Sequence, residues 1–323
     1  MPMNIDIQLL KRFEDGLDPE HPERSAIPAK ILGYGEISTI FEIDTESTKG
    51  IACKRMAIFR TEQEVSEYEN IYSGYNTLLE EEIGIGVPDY GFAWFFSAKG
   101  NIVAFDIQAK LAPESIAHRA LHLMDTENVR ALFLLIIREL AKVWEFNRLN
   151  PDRAIGIDGQ ISNWSLAGFN PSNPQIKPDS RLLYFDTSTP LMKAGGVEQL
   201  DPELFLRSSP SFLRWLIRWF FLTGVMTRYY DARLVTIDII ANLYKEQRPE
   251  LVEPMVDTAN GYFTGEGSQF GIAPLTVKEI ESYYKEDSRI WIIFLALRRF
   301  DRWLHKRILH KPYIYILPGH IKR

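Results

Sequence analysis

Ile155-Gly-Ile-Asp-Gly-Gln-Ile-Ser-Asn-Trp-Ser-Leu166 and, after a polar insert, Arg181-Leu-Leu-Tyr-Phe-Asp-Thr-Ser-Thr-Pro190 decide how this chain is read. Apolar residues frame both parts, which predicts short buried strands joined as a hairpin. Asp158 and Asn163 stand five apart across a loop, and Asp186 closes the second apolar run. If Ile161 to Leu166 pairs with Arg181 to Phe185, Asp186 returns next to Asn163. Two carboxylates and an amide are all oxygen donors, a set that suits Mg²⁺ together with phosphate oxygens. Asp and Asn are also ordinary turn formers and helix caps. The stretch therefore gains meaning only from what precedes it.

Working upstream, Ala29 to Ile43 reads as strand, glycine turn and strand, with the pattern Gly33-x-Gly35-x-x-Ser38. Glycines there let a backbone approach a ligand closely. Gly50 to Ile58 follows as a third strand with Lys54 near its centre. Thr61-Glu-Gln-Glu64 has the form of a capping box and starts a helix. Val65, Tyr68, Ile71, Tyr72, Tyr75, Leu78 and Leu79 continue it as an apolar stripe of helical period. Ile83 to Pro88 ends the helix, and Tyr90 to Phe96 and Asn101 to Gln108 pair as two more strands. Ala29 to Gln108 is thus expected to be an antiparallel sheet of five strands with one helix.

The order glycine turn, strand lysine, helix glutamate, Asp-x4-Asn and strand-end Asp resembles the protein-kinase-like superfamily. The nearest likeness is the small-molecule kinase branch that includes the aminoglycoside phosphotransferases. The resemblance covers Ala29 to Pro190. It implies an α+β, two-lobed fold: a small antiparallel β lobe with one helix, and a large, mainly helical lobe. It implies ATP and Mg²⁺ as cofactors and transfer of the γ-phosphoryl group to a hydroxyl of a small molecule. By the same resemblance, Gly33, Gly35 and Ser38 lie over the phosphates, and Lys54 pairs the α- and β-phosphates. Glu64 or Glu67 holds Lys54, Gln108 opens the hinge that binds adenine, Asp158 orients or deprotonates the hydroxyl, and Asn163 and Asp186 hold the metal. Three positions depart from the family: Gly156 stands where it usually has His, Gln160 where it has Lys or His, and Asp186-Thr-Ser where it has Asp-Phe-Gly. The first two motivate an alternative, a catalytically weak pseudokinase serving as a nucleotide-binding or scaffolding module. No Ala-Pro-Glu element is evident, which argues against a peptide substrate.

The rest of the chain is compatible with this reading. At 323 residues and 46% hydrophobic, it is long enough for two lobes with their own cores. A net charge of -6 argues against nucleic acid as the main partner. The single cysteine, Cys53, excludes an internal disulfide framework and fits a reducing cytoplasm. Asn4 to Asp15 has helical spacing, lacks the apolar core of a secretory leader, and with the connector to Pro28 is expected as a leader to the first lobe. No run is apolar enough to span a bilayer; Phe212 to Met226 comes nearest and is broken by Arg214 and Arg218. The expected divisions are 1–28, 29–108 and 109–323. Val129 to Arg148 reads as the buried central helix of the large lobe. Ser211 to Tyr230 carries an aromatic stripe read as core. Leu234 to Tyr244, Val277 to Tyr284 and Ser288 to Leu309 read as helices, and the basic C-terminus as a solvated face with a loose tail.

Overall fold

β1 (Ala29–Tyr34) and β2 (Ser38–Ile43), the strands expected on either side of the glycines, pair antiparallel with a register slip between Ile31 and Gly33. The structure, a computed structural model, describes residues 3, 5–19, 21–35, 38–206, 227–308 and 310. Most of the aromatic stripe over residues 211–230 and the tail with Lys311, Lys322 and Arg323 lie outside the described residues. β3 (Ile51–Met56), β4 (Tyr90–Phe96) and β5 (Ile102–Ala109) complete a five-stranded sheet in the order β1-β2-β3-β5-β4. Every neighbouring pair is antiparallel. α2 (Glu62–Thr77) is capped by Thr61 Oγ1 on the Glu64 N–H, runs on as a π turn over Leu78–Ile83, and ends at left-handed Gly84.

Strand alternation divides this sheet into two faces. One carries Phe41, Ile43, Cys53, Phe105 and Ile107, all buried. α1 (Ile7–Asp15) covers that face with Leu10 and Phe13, and the Phe13 ring meets Phe41 edge-on at 5.4 Å. Fully burying a side chain such as Phe13 contributes roughly 1.5–3 kcal/mol. The helix expected as a leader is therefore part of the small lobe's core. The opposite face carries Met56 and Ala104 and packs against Tyr68 and Tyr72 of α2.

The remainder is mainly helical, so the architecture is the two-lobed, kinase-like α+β fold. α3 (Ala117–Ala120) precedes α4 (Thr126–Leu149), which starts at an Asp125 cap. α4 buries Leu132, Phe133, Ile136, Ile137, Leu140 and Trp144 around much of its circumference, as a central helix must. Short strands follow: β6 (Arg153–Ile155), β7 (Trp164–Leu166), β8 (Leu182–Tyr184), β9 (Met192–Ala194) and β10 (Val197–Glu198). β7 and β8 form the expected hairpin, with Trp164 opposite Tyr184. α5 (Glu203–Leu206), α6 (Ala232–Lys245), α7 (Val252–Thr264) and α8 (Val277–Arg307) complete the described elements. The two last helices expected from sequence are one: α8 runs unbroken through the polar Lys285 to Ser288 segment, where Lys285 Nζ reaches Glu281 one turn back at 2.6 Å. Among the described residues no helix is long and apolar enough to cross a membrane.

Candidate functional site

Lys54, in the middle of β3, points to the α2 side of the sheet and donates to Asp186 Oδ1 at 2.8 Å and to Ser188 Oγ. Burial would lower its pKa; the charges of Asp186 and Asp106 outweigh that, and the ammonium is held above its ordinary value. The glycine turn lies directly over it. A Cβ on Gly35 would stand 2.5 Å from Ser38 Oγ and 3.6 Å from Lys54 Cε, so no larger residue fits without displacement. Ser38 Oγ is buried with no hydrogen-bond partner among the described residues.

The hairpin brings the three polar residues of the organising stretch together. A 3-10 turn over Ile161–Asn163 leads into β7, and Asn163 Nδ2 donates to the Asp158 carbonyl at 3.2 Å. The Phe185 N–H donates to the Asn163 carbonyl at 3.1 Å, which leaves Asp186 one residue beyond Asn163's partner. Asp158 Oδ1 accepts the Gln160 N–H at 3.1 Å. Burial, then the charges of Asp238 and Asp186, pushes the Asp158 carboxyl up to about 7. Among the described residues no group of three or more His, Cys, Asp or Glu side chains could hold a metal by itself. Asn163 and Asp186 fit a magnesium ion that takes its other ligands from phosphate and water.

Helix α2 departs from expectation. Glu64 Oε2 accepts the Arg60 N–H, one residue ahead of the Thr61 cap, at 2.8 Å, and exposed Glu67 accepts from Gln63 Nε2 at 2.8 Å. Neither makes the expected pair with Lys54, whose bonds across the cleft go to Asp186 and Ser188. Three tyrosines do face the cleft, at positions 68, 72 and 75, the spacing of one helix face. Tyr68 Oη donates to the Ser188 carbonyl at 2.7 Å, Tyr72 Oη to Asp106 Oδ1 at 2.5 Å, and Tyr75 Oη to the Gly156 carbonyl at 3.0 Å. α2 thus touches β5 and both loops through phenols. The sequence reading counted these tyrosines only as apolar. The missed signal is that a buried phenol needs a hydrogen-bond partner.

Gln108 lies inside β5, paired with Ala52 and Tyr90, and its Nε2 donates to Thr187 Oγ1 at 3.2 Å. Beyond it, the Ala109 and Lys110 N–H groups go to the Asp89 and Gly50 carbonyls, each at 2.8 Å.

The two unusual positions of the Asp158 loop are both filled from the α6 side. A Cβ on Gly156 would meet the Tyr230 ring and Leu191 at 3.0 Å, so Tyr230 takes the space a side chain would need there. Gln160 Oε1 accepts from Lys245 Nζ at 3.3 Å, at a small polar recess that Asp238, Asn242 and Tyr283 also line. Arg228 reaches Tyr283 Oη at 3.0 Å, and Tyr283 Oη donates to Asp238 Oδ1 at 3.0 Å, which ties α6 to α8 beside Asp158.

No curated protein matches this sequence. Among solved structures, "WaaP in complex with acyl carrier protein" is similar, at 18% identity and a TM-score of 0.32, over 81% of this chain and 100% of that one. At that TM-score the likeness carries no weight beyond the topology already described. Residues 19–302 match the family of unknown function DUF6206, and the chain belongs to that family.

Proposed function

We propose that this protein is an ATP-dependent phosphotransferase that moves the γ-phosphoryl group to a hydroxyl of a small molecule. The observation that carries the reading is the bond from Lys54 on the sheet to Asp186 on the hairpin, with Asn163 and Asp158 beside it. One cation, two acids and an amide meet where the small lobe faces the large one. The buried Ser38 hydroxyl, without a partner among the described residues, and the Cβ-free space at Gly35 suit a phosphate chain under the glycine turn.

In this reading Gly33, Gly35 and Ser38 cover the phosphates and Lys54 binds them. Asn163 and Asp186 would hold magnesium, which when bound neutralises charge on the β- and γ-phosphates. Asp158 accepts the hydrogen bond of the acceptor hydroxyl and holds its proton at a carboxylate oxygen. Burial suits it to that task, because a base acts best with a pKa near the working pH. Gln108 and the segment after it border the adenine end.

The scaffolding alternative rests on Gly156 and Gln160. Tyr230 fills the space at the first, and Lys245 brings a cation to the second, which favours the catalytic reading. The test is ATP turnover in the presence of a pool of hydroxyl-bearing metabolites. Wild type turns over, and Asp158→Asn keeps nucleotide affinity while losing turnover by at least about 100-fold, the range of general-base catalysis. Unchanged turnover in Asp158→Asn contradicts the assignment. Nucleotide binding without turnover in wild type favours the scaffold.

A further inference from the structure

We propose that Asp106 is the positioning residue for Lys54, the task that the sequence assigned to Glu64 or Glu67. The nucleotide role of Lys54 rests on the function proposed above; its pairing with Asp106 does not. Asp106 stands directly opposite Lys54 in the β3–β5 ladder, so strand alternation puts both side chains on the α2 side of the sheet. Its side chain is inside the protein, with the residue 1% exposed. A buried carboxylate needs hydrogen bonds and a counter-charge. Tyr72 Oη gives the hydrogen bond at 2.5 Å, and Lys54 is the positive charge that acts on it most strongly. Burial raises the Asp106 carboxyl to about 6, and Lys54 is the strongest influence opposing that rise.

Asp186 cannot fill this role through a reaction. It is the side chain expected to turn to a metal, and Lys54, then bonded to the phosphates, loses its carboxylate on the hairpin. Asp106 stays, because β3 and β5 are bonded neighbours in one sheet and the Lys54–Asp106 spacing is set by their register. Tyr72 fixes the carboxylate from the helix side. In a site built on a helix glutamate, movement of the helix makes or breaks the ion pair. Here the counter-ion belongs to the sheet, so Lys54 is held in place without an ion pair to α2.

A double-mutant cycle tests this, with Lys54→Met and Asp106→Asn read on both MgATP affinity and the thermal midpoint. Asp106→Asn is expected to weaken MgATP about tenfold, the scale of a nearby charge that acts on the lysine without a hydrogen bond. In the Lys54→Met background the same substitution is expected to change affinity less than about twofold, because it acts through the lysine. An effect of full size in that background means Asp106 serves only the fold, and overturns the proposal. So does a loss carried by Glu64→Gln or Glu67→Gln with Asp106→Asn silent. If Asp106→Asn fails to fold, Asp106→Glu enters the cycle in its place. If wild type binds no MgATP, the nucleotide reading falls and the cycle is read on the midpoint alone. Non-additive midpoint shifts then sustain the Lys54–Asp106 pairing, and additive shifts overturn it.

Discussion

Lys54 and Arg55 are neighbours on β3, and each holds an acid across a different face of the same sheet. Arg55 grips Glu14 of α1 with two parallel bonds, Nε to Oε2 at 2.6 Å and a terminal nitrogen to Oε1 at 2.7 Å. Both side chains are only 10% exposed. Lys54 meets Asp186 through a single ammonium, with the two side chains 16% and 28% exposed. The guanidinium fork matches a carboxylate and locks α1 onto the lobe; an ammonium is a point charge that can change partners. One pair is built to stay, and in the proposed function the other exchanges an acid for a phosphate. The contrast separates a cation that serves the fold from one that serves the site, although both are buried and adjacent.

Arg55→Ala gives the largest expected effect. It strands Glu14 in a nearly closed interface and is expected to lower stability by about 3–5 kcal/mol while sparing nucleotide affinity. Denaturant unfolding of wild type and variant measures it; a loss below about 1 kcal/mol would put the pair among ordinary surface bridges. Lys54→Ala inverts the pattern. MgATP affinity is expected to fall about 10- to 100-fold, on the scale of a hydrogen bond to a charged group. The midpoint moves less than in Arg55→Ala, because Asp186 keeps some access to water and Asp106, its carboxyl already raised to about 6 by burial, can take up a proton and keep its bond to Tyr72. Equal destabilisation by the two variants breaks the comparison.

Tyr68→Phe sharpens it from the helix side. The ring keeps its place against Phe59 at 5.1 Å and Phe92 at 5.5 Å and loses the bond to the Ser188 carbonyl and the weaker one to Met56 Sδ. The expected cost is about 0.5–1.5 kcal/mol in stability, measured by denaturant unfolding. Cys53, one residue before Lys54, gives the smallest effect. Burial, then Asp106, pushes its thiol up to about 12, so it stays protonated at every working pH. An aromatic disulfide reagent at pH 8 is expected to leave it unmodified in wild type and to label it faster in Arg55→Ala as the α1 face opens. Rapid labelling of native wild type would show that this face is not closed.

What could be read in the sequence follows the range of each contact. Asp158, Asn163 and Asp186 lie in one hairpin, so local strand pairing was enough to bring them together. Lys54 was legible because one turn and one strand separate it from the glycines. Asp106 was not, because its place opposite Lys54 depends on the register of two strands with a helix and another strand between them. The helical period showed which face of α2 is buried, but not that its tyrosine hydroxyls have three separate partners. It left Glu64 and Glu67 open as partners of Lys54, and they bond the Arg60 N–H and Gln63. The amphipathic spacing of α1 was visible, while its partner, the second face of the sheet, was not. Tyr230 and Lys245 complete the Asp158 loop from far along the chain, beyond any local pattern.

The central claim is that Lys54, Asn163 and Asp186 form a nucleotide and metal site. Titration calorimetry of ATP into wild type and Asp186→Asn, with Mg²⁺ and again with excess chelator, tests it most directly. The account predicts that wild type binds ATP, that chelator weakens the binding, and that Asp186→Asn loses the dependence on Mg²⁺. Asp186→Asn with the Mg²⁺ dependence of wild type, or wild type with no ATP binding at all, would contradict it.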